Sequence, residues 1–354
     1  MQRRRETVKQ RFYKIFIFTI LITLFISSFI NAFAVPPIYA QSYIAMDAKS
    51  GRILCSNNAD QKLPMASTTK IMTTILAIEN LNDTNKIIEI PESCTNIEGS
   101  SLYLKPKQKV SIKDLLYGTM LRSGNDAATV LAYKAGKNNV ENFINKMNEK
   151  AKEIGAYNTN FSNPSGLHDE NHYTTAYDLA LISKYALENE LFSEIASAKL
   201  YKANSLNTVL YNKNKVVHQY EYGNGIKIGY TKAAGRCLAA SAKKDDTEII
   251  VVVLNDNSWF QDSYNIFDWA FENYKSYNIV DEGQFISETS NGEPVFALEK
   301  FSYVLTEKEK SEIKFVSNIT EPIKSSGNDN IEFGTYQIYL KDKVIFTGHI
   351  VGEK

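Results

Sequence analysis

The chain has 354 residues, with 44% hydrophobic and 23% charged side chains, which is ordinary for a folded globular protein. Its length suffices for one large domain or two of moderate size. The formal net charge is zero, and the residues after a basic N-terminal segment carry about −5, so no basic surface for nucleic acid is expected. Three cysteines cannot all pair within one chain, and nothing in the sequence indicates a disulfide framework, so buried or inert thiols are predicted.

The first elements along the chain are a basic segment and an apolar run. Residues 1–14 contain six basic side chains and one acidic side chain, and residues 15–30 are almost uninterruptedly apolar. Small residues follow at Ala34 and Ala40, so the parts of a secretory signal are present. The run is also long enough for a single membrane span. The sequence predicts that residues 1–40 are a signal peptide cut near Ala40 or a membrane anchor, with the remainder extracytoplasmic in the cell envelope.

A hairpin and a series of helices are predicted next. Two short strands, 42–47 and 52–57, flank a Lys-Ser-Gly turn and are typical of a hairpin. Five helical patterns follow: an amphipathic stripe of Ile71, Ile75 and Ile78, a helix capped by Ser111, a helix starting at Asp126, and helices over 138–155 and 175–189.

Around residue 225 the pattern changes to that of strands. The predicted elements are strands at 225–231, 238–243 and 248–254 and a helix at 263–274. Strands at both ends with helices between them predict one sheet built from both ends of a domain at residues 41–280. Residues 281–354 contain short β-like runs and are predicted to form a separate small β-rich domain.

Ser67 and Lys70 form the first candidate catalytic pair. At the start of a helix, side chains three residues apart share a face and can touch. A serine hydroxyl is a weak nucleophile unless a base takes its proton, and a buried lysine with a lowered pKa can be that base. Taken alone, the spacing also fits a helix-capping serine followed by a surface lysine, so the pair needs further support.

Two more motifs supply that support. Ser123-Gly124-Asn125 is predicted on a loop between helices, and Lys227-Ile228-Gly229 is predicted on a strand. With the Ser-x-x-Lys pair they follow the order and structural contexts of the penicillin-recognising serine enzymes. Over residues 41–275 the chain resembles the low-molecular-mass penicillin-binding proteins, the serine D-alanyl-D-alanine carboxypeptidases. The matching stretches are Leu63–Thr74, Gly118–Ala128, Phe161–Ala180 and Gly225–Lys243.

The resemblance implies both a fold and a reaction. The implied fold class is α+β, a β-lactamase/transpeptidase-like domain of helices and a five-stranded antiparallel sheet, followed by a small all-β domain. The implied reaction is that of a serine D,D-carboxypeptidase, which removes the terminal D-alanine from peptidoglycan stem pentapeptides through an acyl-enzyme and is acylated by penicillins. The expected partners are stem peptides ending in D-Ala-D-Ala and β-lactam antibiotics, and no cofactor is expected.

Carried over by position, the resemblance assigns roles to seven residues. The predicted catalytic residues are Ser67 as nucleophile, Lys70 as base and Ser123 as proton relay to the leaving amine. The predicted substrate-binding residues are Asn125 for the substrate amide, Lys227 for the terminal carboxylate, Gly229 for close backbone approach, and Tyr230. The backbone N–H groups of Ser67 and Tyr230 would form the oxyanion hole.

The strand motif departs from the family pattern at one position. The family reads Lys-Thr-Gly or Lys-Ser-Gly, whereas Ile228 stands in the middle here. The missing hydroxyl would have bonded the substrate carboxylate, a loss of about 1.5–3 kcal/mol or about ten- to a hundredfold in rate. This predicts a weakened carboxypeptidase and leaves open a penicillin- and stem-peptide-binding protein of low turnover. A β-lactamase is a further alternative, but the loop that supplies a Glu-activated water in class A enzymes has no clear counterpart.

One histidine pair has a spacing that resembles a metal site. His168 and His172 have the spacing of a metal pair on a helix, but they lie between an Asn-Pro-Ser-Gly turn and a helix cap at Thr175. That position predicts a loop, and the pattern is not His-Glu-x-x-His, so no metal is expected there.

A membrane contact is expected only near the N-terminus. Relatives in the resembled family often end in an amphipathic membrane-binding helix, whereas the last residues of this chain have a strand-like pattern. Any attachment to the cell membrane is therefore expected through residues 15–35.

Overall fold

The computed structural model describes residues 34–324 and 331–352. Residues 1–33 of the export segment predicted at 1–40, and with them almost all of the membrane contact expected at residues 15–35, lie outside the described residues. Within the described ranges, no helix combines the length and apolar character needed to cross a bilayer.

The described residues form nine α-helices and sixteen strands. The helices are α1 (Lys70–Asn80), α2 (Ile112–Leu121), α3 (Asn125–Ala135), α4 (Val140–Glu153), α5 (Ala176–Leu187), α6 (Glu190–Ser197), α7 (Val216–Gln219), α8 (Trp259–Asn273) and α9 (Glu307–Lys310). Short 3₁₀ turns are Ala66–Thr69, Glu92–Cys94 and Asn204–Leu206.

The strands are β1 (Ser42–Asp47), β2 (Ile53–Asn57), β3 (Ile87–Glu89), β4 (Lys109–Ser111), β5 (Leu200–Ala203), β6 (Thr208–Tyr211), β7 (Gly223–Thr231), β8 (Gly235–Lys244), β9 (Thr247–Leu254), β10 (Lys275–Val280), β11 (Phe285–Glu288), β12 (Pro294–Ala297), β13 (Phe301–Leu305), β14 (Ile313–Lys324), β15 (Ile331–Leu340) and β16 (Lys343–Gly352).

The main sheet joins the two ends of the helical region, as predicted. Its five strands lie in the order β2-β1-β9-β8-β7, and every neighbouring pair is antiparallel. Strand β1 runs along β9 from the pair Ser42–Leu254 to the pair Asp47–Ile249. The continuous apolar run of β9 is buried almost throughout, as expected for a strand with both faces covered, and α5 and α8 both contact it.

Helix α1 is the central helix of the molecule. The sequence predicted an amphipathic helix with one apolar stripe, but every residue from Lys70 to Ala77 is buried. The reason is that α1 contacts helices α2, α3, α4, α5 and α6 and has no solvent face over these residues. The helix that carries the candidate lysine is therefore fixed from all sides.

The ends of the helices follow the predicted caps in two cases. Ser111 Oγ accepts a hydrogen bond from the N–H of Asp114, and Thr175 Oγ1 accepts one from the N–H of Asp178, each at 3.0 Å. Helix α8 differs from the prediction, because it begins at Trp259 rather than near residue 263.

The C-terminal all-β part has its own sheet and core. Strands β10 and β13 pair with each other, and a second five-stranded sheet has the order β11-β12-β16-β15-β14. Its core residues are Val280, Val295, Ala297, Phe333, Tyr336, Ile338 and Ile350. Arg52, just before β2, donates to Glu309 Oε1 at 2.5 Å and to the Val304 carbonyl at 2.6 Å, and so joins this part to the first hairpin. The observed fold agrees with the predicted α+β class and its trailing β domain.

Candidate active site

Ser67 lies in the 3₁₀ turn Ala66–Thr69, and Lys70 is the first residue of α1. Side chains at positions i and i+3 of a 3₁₀ turn are eclipsed, so this backbone brings the two side chains together. The distance between Lys70 Nζ and Ser67 Oγ is 3.0 Å. Ser67 is partly exposed, whereas Lys70 is completely buried. The nucleophile candidate thus faces the surface with its base candidate behind it.

Lys70 Nζ has three oxygen neighbours arranged around it. Besides Ser67 Oγ, it lies 2.7 Å from Asn125 Oδ1 and 2.5 Å from the carbonyl oxygen of Ser165. Neither of those two oxygens can donate a hydrogen bond, so Lys70 must donate to both. A neutral amine has two hydrogens and one lone pair. With both hydrogens directed at Asn125 and Ser165, its lone pair faces the Ser67 hydroxyl.

The environment of Lys70 favours that neutral form. Burial holds the pKa of Lys70 well below its ordinary value, and the nearby positive charge of Lys227 lowers it further. The Asp126 carboxylate opposes these effects, and Lys213 adds a smaller lowering. In the described part of the chain, Lys70 forms no ion pair with a carboxylate that would hold its proton. Lys70 is therefore an uncharged amine base more readily than a solvent-exposed lysine would be.

The second motif lies where α2 ends and α3 begins. Ser123 is 7% exposed and has a left-handed backbone, with φ of +63°. Asn125 is the first residue of α3, and its Nδ2 donates to the carbonyl of Glu98 at 2.5 Å while its Oδ1 accepts from Lys70. The amide orientation of Asn125 is fixed from both ends. Asn125 thereby connects the base candidate to the loop that precedes residue 100.

The third motif lies on β7, which is an edge strand of the main sheet. Lys227 is 1% exposed, and its Nζ donates to the neighbouring carbonyl of Ile228 at 2.9 Å. Burial, with a further contribution from the charge of Lys213, lowers the pKa of Lys227 to about 7. Lys227 also has no carboxylate partner within the described ranges. The site therefore contains two buried lysines, Lys70 and Lys227, neither of which has an ion-pair partner among the described residues.

Strand β7 packs directly on the nucleophile turn at Gly229. A Cβ atom at Gly229 would lie 2.8 Å from Ser67 N and 3.1 Å from the carbonyl oxygen of Met65, so a side chain there would displace the turn. Ile228 is half-buried and Tyr230 is 63% exposed. Gly229 is thus required by contact within the protein itself, in addition to its predicted approach to substrate.

The loop at residues 162–167 supports the same turn from the other side. Asn163 Oδ1 accepts hydrogen bonds from the N–H groups of Ser165, Gly166 and Leu167, at 3.1, 2.7 and 3.2 Å. This holds the Ser165 carbonyl against Lys70. Gly166 has φ of +83°, and a Cβ there would lie 1.9 Å from the Ala66 carbonyl oxygen.

His172 also lies behind the nucleophile turn. It is 3% exposed, and its two ring nitrogens are hydrogen-bonded to Ser162 and Thr69. His168, four residues earlier, is not among its hydrogen-bonding partners. The His172 ring therefore packs behind the nucleophile turn and forms hydrogen bonds there with both of its nitrogens.

Sequence reasoning brought the three motifs together but missed several groups that complete the site. The carbonyls of Ser165 and Glu98 orient Lys70 and Asn125, and a backbone carbonyl gives no signal in a sequence. Lys213, which follows β6, lowers the pKa of both buried lysines, but it belongs to no recognisable spacing. The charge of Lys213 near the other two lysines becomes apparent only from the fold.

Comparison with known proteins gives consistent findings. A family model described as D-alanyl-D-alanine carboxypeptidase matches residues 30–258. The chain is 32% identical over 309 residues to the D-alanyl-D-alanine carboxypeptidase DacF of Bacillus subtilis, covering 80% of this chain and 78% of that protein. It is 32% identical over 295 residues to the D-alanyl-D-alanine carboxypeptidase DacA of Haemophilus influenzae, covering 75% and 73%. The solved structure of penicillin binding protein 5 from Haemophilus influenzae aligns with a TM-score of 0.76 and 29% identity, covering 90% of this chain and 99% of that one.

Proposed function

The chain belongs to the D-alanyl-D-alanine carboxypeptidase family, and we propose that Ser67 is the nucleophile with which it removes the terminal D-alanine from peptidoglycan stem pentapeptides. The observation that carries this proposal is the arrangement around Lys70. The two hydrogens of its neutral amine are donated to Asn125 and Ser165, and its lone pair faces Ser67 Oγ, which lies 3.0 Å away. Lys70 then acts as the general base in acylation.

The reaction proceeds in two steps. Ser67 Oγ attacks the carbonyl carbon between the two D-alanines while its proton passes to Lys70 Nζ. The N–H groups of Ser67 and Tyr230 bind the oxyanion that forms. As the intermediate collapses, the C–N bond breaks, Ser123 relays a proton to the departing D-alanine amine, and the acyl group stays on Ser67. Water then hydrolyses this ester, and a penicillin would acylate the same oxygen.

Positive charge around β7 supports recognition of the terminal carboxylate. Lys227 is buried without an ion-pair partner in the described residues, and Lys213 lies near enough to lower its pKa. An incoming carboxylate would stabilise the charged form of Lys227 and would be bound by it. Asn125, whose Oδ1 accepts from Lys70, would bind the substrate amide with the hydrogen of its Nδ2 that Glu98 does not use.

The proposal extends to where the enzyme works and how it is organised. The basic and apolar N-terminal segment supports export to the cell envelope, with secretion or with attachment through residues 15–35. There, residues 41–280 would act on wall stem peptides, with residues 281–354 as a separate stalk or partner-binding domain. The acidic balance of the exported part gives no support for a nucleic-acid partner.

A second candidate function is a penicillin- and stem-peptide-binding protein of low turnover. Ile228 favours it, because the side chain beside Lys227 offers no hydroxyl for the substrate carboxylate. In this function Ser67 would still be acylated by a penicillin, but its acylation by a stem peptide, the step that releases D-alanine, would be slow.

The test is release of D-alanine from diacetyl-Lys-D-Ala-D-Ala, with labelling by a fluorescent penicillin and hydrolysis of nitrocefin measured alongside. Release supports the carboxypeptidase, stable labelling without release supports the second candidate, and fast nitrocefin hydrolysis would identify a β-lactamase. Ser67→Ala should abolish release and labelling. Ser241→Ala is the matched control, since the buried Ser241 hydroxyl has no hydrogen-bond partner among the described residues. Labelling that persists in Ser67→Ala would disprove the assignment of the nucleophile.

A further inference from the structure

A buried chain of hydrogen bonds leads from the loop at residues 162–172 to the peptide group that precedes Ser67. Ser162 N lies 3.0 Å from His172 Nδ1, His172 Nε2 lies 2.7 Å from Thr69 Oγ1, and Thr69 Oγ1 lies 2.7 Å from the Ala66 carbonyl oxygen. Thr69 is 1% exposed and His172 is 3% exposed, so water does not compete for these bonds.

The direction of each hydrogen bond is determined from both ends. A backbone N–H can only donate, so His172 Nδ1 accepts from Ser162 and the proton of the neutral ring is on Nε2. A carbonyl can only accept, so Thr69 donates to Ala66 and must accept from His172 Nε2. The neutral ring is the form that this environment favours, because burial lowers the pKa of His172 to about 4. Every donor and acceptor in this chain of hydrogen bonds is therefore paired in a single arrangement of protons.

The last member of this chain belongs to a rigid group. The Ala66 carbonyl and the Ser67 N–H are parts of one planar peptide bond, so fixing the oxygen also fixes the direction of the N–H. The Ala66–Ser67 peptide plane needs support from its neighbours, because Ala66 has φ of +48°, a left-handed conformation that is unfavourable for residues other than glycine. Gly166 contacts the same oxygen, where any Cβ would come within 1.9 Å.

We propose that His172 is a positioning residue, which acts through Thr69 to aim the Ser67 N–H at the oxyanion of the tetrahedral intermediates. This inference depends on the acyl-enzyme reaction proposed above and adds to it a residue that does not contact substrate. Both acylation and deacylation pass through an oxyanion, so the rates of both steps should depend on this chain of hydrogen bonds. Removing an oxyanion donor outright costs about 10²–10³-fold in rate, and a misdirected donor should cost about tenfold or more.

The experiment compares two variants of Thr69 and two of His172. Thr69→Val keeps the shape but removes the hydroxyl, whereas Thr69→Ser keeps the hydroxyl and should retain activity. His172→Asn retains an acceptor for Ser162 but cannot reach Thr69, whereas His172→Gln can still donate to Thr69. Thr74→Val, in the helix α1 that follows the turn containing Thr69, is the matched control, because the buried Thr74 hydroxyl has no partner among the described residues.

The measured quantities are the rate constants for acylation and deacylation by a fluorescent penicillin, together with the fraction of molecules that become labelled. A variant that only unfolds labels fewer molecules, but those that label do so at the normal rate. We expect Thr69→Val and His172→Asn to label fully, each with both rate constants reduced about tenfold or more. The double variant, with Thr69→Val and His172→Asn together, should be no slower than the slower single variant, because both changes break the same chain of hydrogen bonds.

Several outcomes would overturn the inference. Normal rates in fully labelled Thr69→Val would do so, as would losses that multiply in the double variant, or a Thr74→Val variant that is equally slow. If the unaltered protein were not acylated at all, the proposed function would fail first and this inference with it. If the unaltered protein acylates normally and only the predicted losses are missing, the proposed function stands and the role of His172 alone is disproved.

Discussion

Replacing Ile228 by threonine should accelerate the enzyme, because the position beside Lys227 lacks the hydroxyl that the resembled Lys-Thr-Gly or Lys-Ser-Gly motif would place there. Ile228 is a half-buried residue of edge strand β7, opposite Leu238 of β8. Threonine is also β-branched and suits a strand, so the ladder between β7 and β8 should be kept. The Ile228 carbonyl, which accepts from Lys227, belongs to the backbone and is unaffected by the substitution.

The size of the gain follows from the bond that is added. A hydrogen bond from the new hydroxyl to the substrate carboxylate is worth about 1.5–3 kcal/mol, which corresponds to about a ten- to hundredfold faster acylation. The assay is the second-order rate constant for labelling by a fluorescent penicillin, with release of D-alanine from diacetyl-Lys-D-Ala-D-Ala as a second measure. Ile228→Val is the matched control, since valine has nearly the shape of threonine without the hydroxyl.

The comparison between these two variants decides the matter. If Ile228→Thr is faster and Ile228→Val is not, the hydroxyl is responsible. Equal rates in both variants would mean that only side-chain size matters at this position. A rate for Ile228→Thr that is unchanged or slower would refute the reasoning, and Lys227 with its neighbours would then suffice for carboxylate binding.

Three further predictions concern charge, backbone and stability. Because the pKa of Lys227 is lowered to about 7, its charge is lost as pH rises through that value. In Ser67→Ala, which binds without acylation, the Kd for a penicillin should rise about tenfold per pH unit above pH 7, and a constant Kd would contradict this. Gly166→Ala should slow acylation and lower Tm more than Gly283→Ala, which shares a positive φ but has open space around its Cβ position. Arg52→Ala should lower the free energy of unfolding by about 1–3 kcal/mol, measured by urea denaturation, because a carboxylate and a carbonyl lose their partner; an unchanged midpoint would argue against this.

Sequence patterns predicted the architecture well wherever an element had regularly spaced apolar residues or a helix-capping residue. The three strands after residue 225 and the caps at Ser111 and Thr175 lie where they were expected. The burial of α1 on all sides was not predicted, because its Lys70 and threonines have a polar pattern in sequence. Their burial depends on hydrogen bonds to loops far along the chain, such as that from Thr73 to the Pro164 carbonyl.

The site was predictable at the level of motifs but not of their supports. Ser67, Asn125 and Lys227 could be singled out because residue type and order carry the information. Ser165 could not, because it contributes its backbone oxygen, and the only sequence pattern that included His172 was its metal-like spacing from His168. Its actual partners, Thr69 and Ser162, are distant in sequence or lack a distinctive pattern. The roles assigned to the predicted residues remain predictions until they are tested as described.

The pairing of β1 with β9 also has a consequence for how the molecule is made. The two strands are separated by about two hundred residues, so their contacts are among the most non-local in the chain. Folds that depend on such contacts form slowly, because a long loop must close before the contacts stabilise it. A chain that ends before Ile250 would leave Ile44 and Met46 of β1 without their partners on β9, which are Val252 and Ile250. We therefore expect the first hairpin to be among the last elements to dock, and a growing chain to stay open until its ninth strand is complete.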